Sequence, residues 1–250
     1  MKSKFIFGFH SVTSRIRQDV SSIDFAYVDA SRSDTRMNNF LLLLSNYNLR
    51  FIKVDEHRLF SMVGNVNHQG VVAQINKFTP PKSLTDLLIG IKGIPLILVL
   101  DGVNDPHNLG ACLRVADGAG VDAIIAPKDK SVGLNSTVIK VASGAADSVP
   151  YISVTNLSRA MDELKEHDIW LMGTCSEVDK TIYDVDYLSG TAFIIGAEGF
   201  GLRRLTKKKC DHLLKIPMTG SLQSLNVAVA SGVCLYEACR QRIHNFSRIN

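Results

Sequence analysis

Residues 194–201 read IIGAEGFG, and residues 216–228 read IPMTGSLQSLNVA. Each segment is an apolar run that ends at glycines and small polar residues, so backbone amides are left exposed where a buried strand ends. Short runs that are apolar on both faces, as strands buried in a parallel sheet are, occupy residues 95–100, 122–126, 151–154, 170–174, 192–196 and 213–217. Because helical patterns separate most of them, the sequence predicts an α/β fold in which helices flank a parallel sheet.

The distribution of glycines argues against an ordinary doubly wound sheet. A dinucleotide-binding fold or the common methyltransferase fold carries G-x-G-x-x-G after its first strand. Here the first of these strands runs into DGVNDP at residues 101–106, and the glycines cluster after a late strand. The sequence therefore predicts a ligand site toward the C-terminal end of the chain.

The composition is that of an ordinary globular protein, with 250 residues, 46% apolar and 21% charged. A net charge of +4 permits an anionic partner without establishing one. Five scattered cysteines form no C-x-x-C pair and the histidines lack ligand spacing, so we expect reduced core thiols and no metal. The absence of a signal-peptide pattern and of any apolar run of about 18 residues predicts a cytoplasmic protein without membrane contact.

The chain divides into two predicted domains. In residues 1–76 a small alternating unit has helices at 10–18, 39–47 and 58–63 and strands at 25–29, 50–54 and 70–75. Residues 77–93 are interpreted as a linker, because Pro80 and Pro81 lack amide donors and hold the chain extended. Residues 94–250 form the second domain.

A third segment, residues 101–114, reads DGVNDPHNLGACLR and continues into a helix. Its buried stripe at i, i+3, i+4 and i+7 consists of Leu109, Cys112, Leu113 and Ala116. Arg114 then points away from the stripe, and Asn108 stands where an N-cap would. Taken singly, Asn108 is explained as a helix cap and Arg114 as a solvated surface arginine.

Polar residues interrupt the other two motifs. Glu198 lies between Gly196 and Gly199 after an apolar strand, a position that also suits a turn residue or a helix cap. The third motif opens an apolar helix that we expect to run to about Arg240. Its polar residues Ser221, Ser224 and Asn226 are more than one helix end requires, and the surplus suits a polar ligand.

Taken together and in this order, the three motifs resemble the signature motifs of the SpoU/TrmH branch of the SPOUT methyltransferases, which methylate a ribose 2′-hydroxyl of RNA. The segments FGFHSV at 7–12 and HQGVV at 68–72 extend the resemblance over essentially the whole chain, and look most like the bacterial type that acts on a guanosine of 23S ribosomal RNA. The resemblance implies a homodimer with a smaller N-terminal L30e-like RNA-binding domain and a C-terminal SPOUT α/β-knot domain, whose chain threads a deep trefoil knot.

The resemblance also implies site residues. The catalytic set would be Arg114, Asn108, Glu198, Ser224 and Asn226, with Arg114 activating the 2′-hydroxyl and the others positioning it. The methyl donor S-adenosyl-L-methionine would bind in the knot against Thr174, Gly196, Gly201, Ile216, Met218 and Leu225. One departure is Ala228, since the residue after Leu-Asn-Val is commonly serine in this group.

Other functions within the same resemblance stay open. The chain could be a tRNA ribose methyltransferase of the same fold, an antibiotic-resistance enzyme acting on other ribosomal nucleotides, or an RNA-binding or ribosome-assembly factor without catalysis. The presence of all five catalytic-set residues disfavours the last. Phosphates of RNA could be contacted by Arg15, Arg17, Arg32, Arg36, Arg203, Arg204 and residues 207–209.

Overall fold

The structure is a computed structural model that describes residues 4–64, 66–75, 83–197 and 199–249. The chain forms two compact units, Met1–Pro80 and Pro81–Asn250. Each unit has its own hydrophobic core and is described by itself.

The first unit is a four-stranded mixed sheet with helices. The strands are β1 Lys4–Phe7, β2 Ile23–Asp29, β3 Phe51–Val54 and β4 Val71–Ile75, and the helices are α1 Phe9–Asp19, α2 Thr35–Asn46 and α3 Glu56–Val63. In the order β1-β4-β2-β3, β4 is antiparallel to both neighbours and β3 is parallel to β2. The sequence pattern did not predict β1, because four residues are too few to show alternation and pairing with β4 creates the strand.

Helix α2 begins four residues before its predicted start at residue 39. The side chain of Asp34 accepts hydrogen bonds from the backbone N–H groups of Arg36 and Met37, at 3.0 and 3.2 Å. This is an N-cap, which satisfies amide donors that the first turn of a helix leaves unpaired. The prediction followed the apolar residues and therefore missed the polar first turn.

The second unit is a parallel sheet, as predicted, in the order β10-β8-β9-β5-β6-β7. Its strands are β5 Leu96–Asp101, β6 Ala123–Pro127, β7 Tyr151–Val154, β8 Trp170–Thr174, β9 Thr191–Gly196 and β10 His212–Leu214. Its helices are α4 Leu84–Gly90, α5 Pro106–Gly118, α6 Ser136–Ala142, α7 Ala145–Ser148, α8 Leu157–Glu166, α9 Arg204–Lys209 and α10 Val227–Ile249.

Both faces of this sheet are covered. In β5, Leu96, Leu98 and Leu100 pack into a cluster with α5 and α10, whereas Ile97 and Val99 pack into a cluster with α4 and α8. All five side chains are at most 3% exposed. Burial on two faces explains why the strands are continuous apolar runs instead of alternating ones.

The predicted linker, residues 77–93, differs from what the structure places there. Its prolines lie outside the described residues, and its later part forms α4, where the Ser83 side chain accepts the N–H of Asp86 at 3.0 Å as an N-cap. Leu84, Leu87 and Leu88 are each at most 7% exposed and belong to the core of the second unit. Their spacing of i, i+3 and i+4 is helical, but the preceding prolines masked the pattern.

Arg242 on α10 joins distant parts of the second unit. Its guanidinium donates to the backbone carbonyls of Tyr187 at 2.9 Å, Ile94 at 3.1 Å, Pro95 at 3.0 Å and Ser189 at 3.0 Å. Four carbonyls use most of the five N–H donors that an arginine offers. The end of α10 is thereby fixed to the segments that lead into β5 and β9.

The cysteines behave as core thiols where they are buried. Burial raises the pKa of the Cys112 thiol and of the Cys234 thiol to about 12, so both stay protonated at neutral pH. Across the described ranges, no helix combines the length and apolar character that a membrane span needs. The same ranges contain no cluster of three or more His, Cys, Asp or Glu side chains that could hold a metal ion.

Candidate functional site

A cavity of about 300 Å³ opens at the carboxyl ends of β8 and β9, beside the segment that follows β10 and the start of α10. Ligands of parallel α/β sheets bind outside the carboxyl ends of the strands, and small-molecule sites begin at about this volume. The described lining residues are Thr174–Glu177, Ile195–Ala197, Gly199–Leu202, Lys207, Ile216, Met218, Gln223–Leu225, Val227 and Ala230.

The six residues predicted to bind the cofactor all line this cavity. They come from three separate stretches of chain: the end of β8, the segment 196–201 and the segment 216–225. The hydroxyl of Thr174 donates to the carbonyl of Ile194 at 3.3 Å, which joins the ends of β8 and β9. Parallel pairing of β10 with β8 brings the third stretch to the same edge.

The backbone after β9 folds tightly back on itself. The N–H of Gly201 donates to the carbonyl of Ala197 at 2.9 Å. A Cβ atom at Gly196 would lie 2.1 Å from the carbonyl carbon of Gly201, so only glycine permits this approach. Gly199 and Gly201 have φ angles of 83° and 62°, which side-chain-bearing residues rarely adopt. Ala197 and residues 199–201 therefore close a turn at the mouth of the cavity.

Asp101 fixes this turn to the neighbouring strand. Its carboxylate, at the end of β5 and 1% exposed, accepts the backbone N–H of Arg203 at 3.1 Å and the Nε–H of the same residue at 2.5 Å. A second guanidinium nitrogen of Arg203 completes the ion pair. Arg203 therefore holds the loop in place, in addition to any contact with RNA.

We expect Asp101→Ala to lower the free energy of unfolding by about 2 kcal/mol, because Arg203 loses its partner for both backbone and side chain. The loss stays below that of a fully buried pair, since the Arg203 side chain is 47% exposed and can turn to water. Urea unfolding of the full chain measures the effect. The control is Asp162→Ala, which removes the surface ion pair with Lys209 and should cost less than about 1 kcal/mol. Equal losses would contradict the role of Asp101.

Asn226 and Asn108 meet beside the cavity. The Nδ2 of Asn226 donates to the Oδ1 of Asn108 at 2.8 Å, and the Oδ1 of Asn226 accepts the N–H of Ala228 at 3.0 Å. The side-chain amide of Asn226 therefore caps α10 and also orients the side-chain amide of Asn108 on α5. The first and third motifs, 118 residues apart, are joined by this bond.

Two predictions about helix starts need correction. The cap of α5 is Asp105, whose side chain accepts the N–H of His107 at 3.0 Å, so Asn108 is not the N-cap and lies inside the first turn. Helix α10 begins at Val227, so Ser221 and Ser224 lie in the preceding loop. Pro106 at the first helical position explains the earlier start of α5, because its missing N–H needs no partner there.

The remaining residues of the predicted catalytic set are distributed as follows. Ser224 lines the cavity. Glu198 lies outside the described residues. Arg114 is exposed on α5 and is not among the residues that line the cavity.

Two charged side chains line the described part of the cavity, and the motif analysis missed one of them. Lys207 donates to a carboxylate oxygen of Glu177 at 3.1 Å, and this hydrogen bond raises the pKa of Lys207. The sequence predicts Lys207 as an RNA contact, whereas Glu177 follows β8 without any local signal. Only the three-dimensional arrangement brings this carboxylate to the site.

The basic residues of the first unit are not all at the surface. Arg15 is 7% exposed and donates to the hydroxyl of Ser22 at 2.7 Å, so its prediction as a phosphate contact is wrong. The guanidinium carbons of Arg32 and Arg36 lie 5.1 and 4.6 Å from the centre of the Phe9 ring. Cation–π contacts of this kind hold an arginine in place while its edge stays available to a ligand. The Arg17 side chain lies outside the described atoms.

Comparison with known proteins finds two family matches. The sequence model described as "SpoU rRNA Methylase family" matches residues 95–236, and the model "RNA 2'-O ribose methyltransferase substrate binding" matches residues 5–81. The 23S rRNA (guanosine-2'-O-)-methyltransferase RlmB of Ralstonia nicotianae is 55% identical over 241 residues, covering 96% of this chain and 97% of the relative. The protein of the same name from Pseudomonas aeruginosa is 45% identical, covering 95% and 96%.

Among solved structures, a similar one is the SpoU methyltransferase AviRb of Streptomyces viridochromogenes in complex with the cofactor AdoMet. The TM-score is 0.64 at 24% identity, over 97% of this chain and 92% of that one. A likeness of this kind supports the fold of the whole chain.

Proposed function

Because this chain belongs to the SpoU rRNA methylase family, we propose that it transfers a methyl group from S-adenosyl-L-methionine to the ribose 2′-hydroxyl of a guanosine in 23S ribosomal RNA. The observation that carries the proposal is the cavity that the second and third motifs build with the end of β8, beside which Asn226 of the third motif is hydrogen-bonded to Asn108 of the first. Ribosomal RNA is made and assembled in the bacterial cytoplasm, which is where we place the protein.

The residues present fit the cofactor. A tight turn of glycines leaves room where a side chain would intrude, and the remaining wall combines apolar side chains such as Ile195, Ile216 and Leu225 with polar ones such as Glu177 and Lys207. Such a mixture suits a ligand with a flat base and a few polar groups. When bound, the cofactor supplies a methyl group on a positively charged sulfur, which an oxygen nucleophile can accept.

The polar residues beside the cavity would position the acceptor. Asn226 and Asn108 form one hydrogen-bonded unit, and Ser224 lines the cavity. Holding donor and acceptor in line supplies a large part of the rate acceleration of such a transfer. We assign to Arg114 the binding of the RNA phosphate and the stabilisation of the developing alkoxide, because a guanidinium stays protonated at neutral pH and is a poor base.

RNA is the substrate, and the first unit is its further binding surface. Its match to the substrate-binding family supports this assignment. Exposed arginines such as Arg36, held over the Phe9 ring, are suited to phosphates. Binding of this kind releases counterions from the RNA, so it weakens as the salt concentration rises.

We also propose that the protein is a homodimer. On α10, Val229, Tyr236 and Ile243 recur every seven residues and are 53%, 54% and 65% exposed. An apolar row at this spacing is typical of a helix that packs against another helix. Tyr236 reaches α5 near Gly118, where an added Cβ would lie 3.0 Å from its hydroxyl. Arg114 lies one turn before Gly118, so this face of α5 also carries the predicted catalytic arginine.

Introducing charge into that row should dissociate the dimer. We expect Tyr236→Arg to shift the protein from dimer to monomer in sedimentation equilibrium, because a desolvated guanidinium without a partner costs several kcal/mol. The matched control is Tyr183→Arg, which replaces a tyrosine of similar exposure, 57%, in a loop. If the Tyr236→Arg protein stays dimeric, or if the Tyr183→Arg control dissociates to the same extent, the interface does not include this row of α10.

The reaction is tested in two steps. Purified protein incubated with the methyl-labelled cofactor should label 23S ribosomal RNA, and calorimetry should detect binding of the cofactor or its demethylated product. Mapping of 2′-O-methyl groups in ribosomal and transfer RNA from cells with and without the gene then identifies the nucleotide. A mark missing only from tRNA would overturn the ribosomal assignment, and no uptake of the cofactor would overturn the reaction.

A further inference from the structure

Phe200 lines the mouth of the cavity and is 95% exposed. It is the only aromatic side chain among the described lining residues. Single exposed apolar residues are ordinary on protein surfaces. This one differs because it stands at the opening through which an RNA substrate must approach.

The backbone holds Phe200 in this position. Gly199 and Gly201 flank Phe200, and their positive φ angles shape the turn. The N–H of Gly201 donates to the carbonyl of Ala197 at 2.9 Å. The turn rests against Gly196, and Arg203 ties its far end to Asp101. The turn therefore holds the apolar ring in contact with water. The ring leaves water only when a binding partner covers it, which is favourable because apolar surface is buried.

We propose that Phe200 stacks on the base of the nucleotide whose ribose receives the methyl group. The inference rests on the proposed function and deepens it. The acceptor 2′-oxygen must reach the cavity, and the base is attached to the adjoining carbon of the same ribose, so the base lies at the mouth. An exposed phenyl face there is suited to a nucleobase, and such stacking changes binding by about tenfold.

The test is a double cycle of protein and RNA. Wild type and Phe200→Ala are compared on an RNA fragment containing the target nucleotide and on the same fragment with an abasic ribose at that nucleotide, at saturating cofactor. We expect Phe200→Ala to lower kcat/KM about tenfold on the intact RNA and less than about twofold on the abasic RNA. Phe200→Trp should keep the activity because it keeps a ring, whereas Phe200→Leu should lose it. Calorimetry should give an unchanged cofactor affinity.

Several results would overturn the stacking. An equal loss on both RNAs, or no loss on either, would mean that the ring does not contact the base. A lower cofactor affinity would place the ring against the cofactor, and a shift to monomer in Phe200→Ala would place it against a second subunit. Wild-type protein that methylates no RNA would remove the proposed function and this inference with it, whereas an active wild type with an unaffected Phe200→Ala would remove only the stacking.

Discussion

Arg114→Ala should lower the rate of methyl transfer by about a thousandfold while leaving the affinity for S-adenosyl-L-methionine within about twofold. The side chain is exposed on α5 and does not line the cavity, so its removal leaves the cofactor site and the core unchanged. In the proposed mechanism, the variant loses a fixed positive charge that would bind phosphate and stabilise the negative charge developing on the 2′-oxygen. Single-turnover methylation with saturating cofactor, together with calorimetry, separates the two quantities.

Two further variants sharpen this experiment. Arg114→Lys keeps the charge but not the planar fork, so partial recovery would indicate charge stabilisation and none would indicate bidentate phosphate binding. Arg159→Ala, an exposed arginine of α8 on the other face of the sheet, is the control and should keep full activity. Unchanged turnover in Arg114→Ala would remove Arg114 from the mechanism.

Gly196→Ala should lower the cofactor affinity by about a hundredfold, because an added methyl group cannot be accommodated beside the backbone of the turn. The new Cβ would lie 2.1 Å from the carbonyl carbon of Gly201 and 2.5 Å from the N of Leu202. These are backbone atoms that no rotamer change can move, so the turn must shift out of its place at the cavity. Isothermal titration with the demethylated product measures the affinity without turnover.

A matched substitution isolates the cause. Gly220→Ala lies in the third motif, where nothing is within 4 Å of the added atom, and should bind the cofactor with nearly unchanged affinity. Circular dichroism of Gly196→Ala should show a folded protein, since the displaced turn is at the surface. Wild-type affinity in Gly196→Ala would mean that this turn does not form the cofactor site.

The strands of the parallel sheet were predictable from sequence to within one residue at each end, except for the end of β10. Strands β7 and β8 have the bounds that the apolar runs predicted, although β7 is an edge strand without a fully buried residue. Helix α10 runs to Ile249, beyond the predicted end at about Arg240. The apolar pattern ends near Arg240, whose guanidinium donates to the carboxylate of Glu237 one turn earlier. Side-chain pairs at this spacing stabilise a helix without an apolar stripe.

The matches confirm the family, the parallel α/β fold and the methyltransferase activity. The fold was predicted from the apolar runs of the strands, whereas the family, the activity and its cofactor came from the resemblance of three motifs. Contacts across the chain could not be predicted in this way. The bond from Arg203 to Asp101 joins residues 102 apart, and no local pattern encodes which carboxylate a distant arginine meets. The trefoil knot and the roles of the catalytic set stay predictions.

The hydrogen bonds from Arg242 to four backbone carbonyls affect when the second unit can fold during translation. Its bonds to Ile94 and Pro95 span 148 and 147 residues, and closing so long a loop is slow compared with forming local helices. Translation delivers the amino-terminal part first, and domains generally fold as separate units. A ribosome stalled before residue 242 should therefore carry a protease-resistant first unit and a protease-sensitive second unit, and the second unit should complete its folding only after α10 emerges from the exit tunnel.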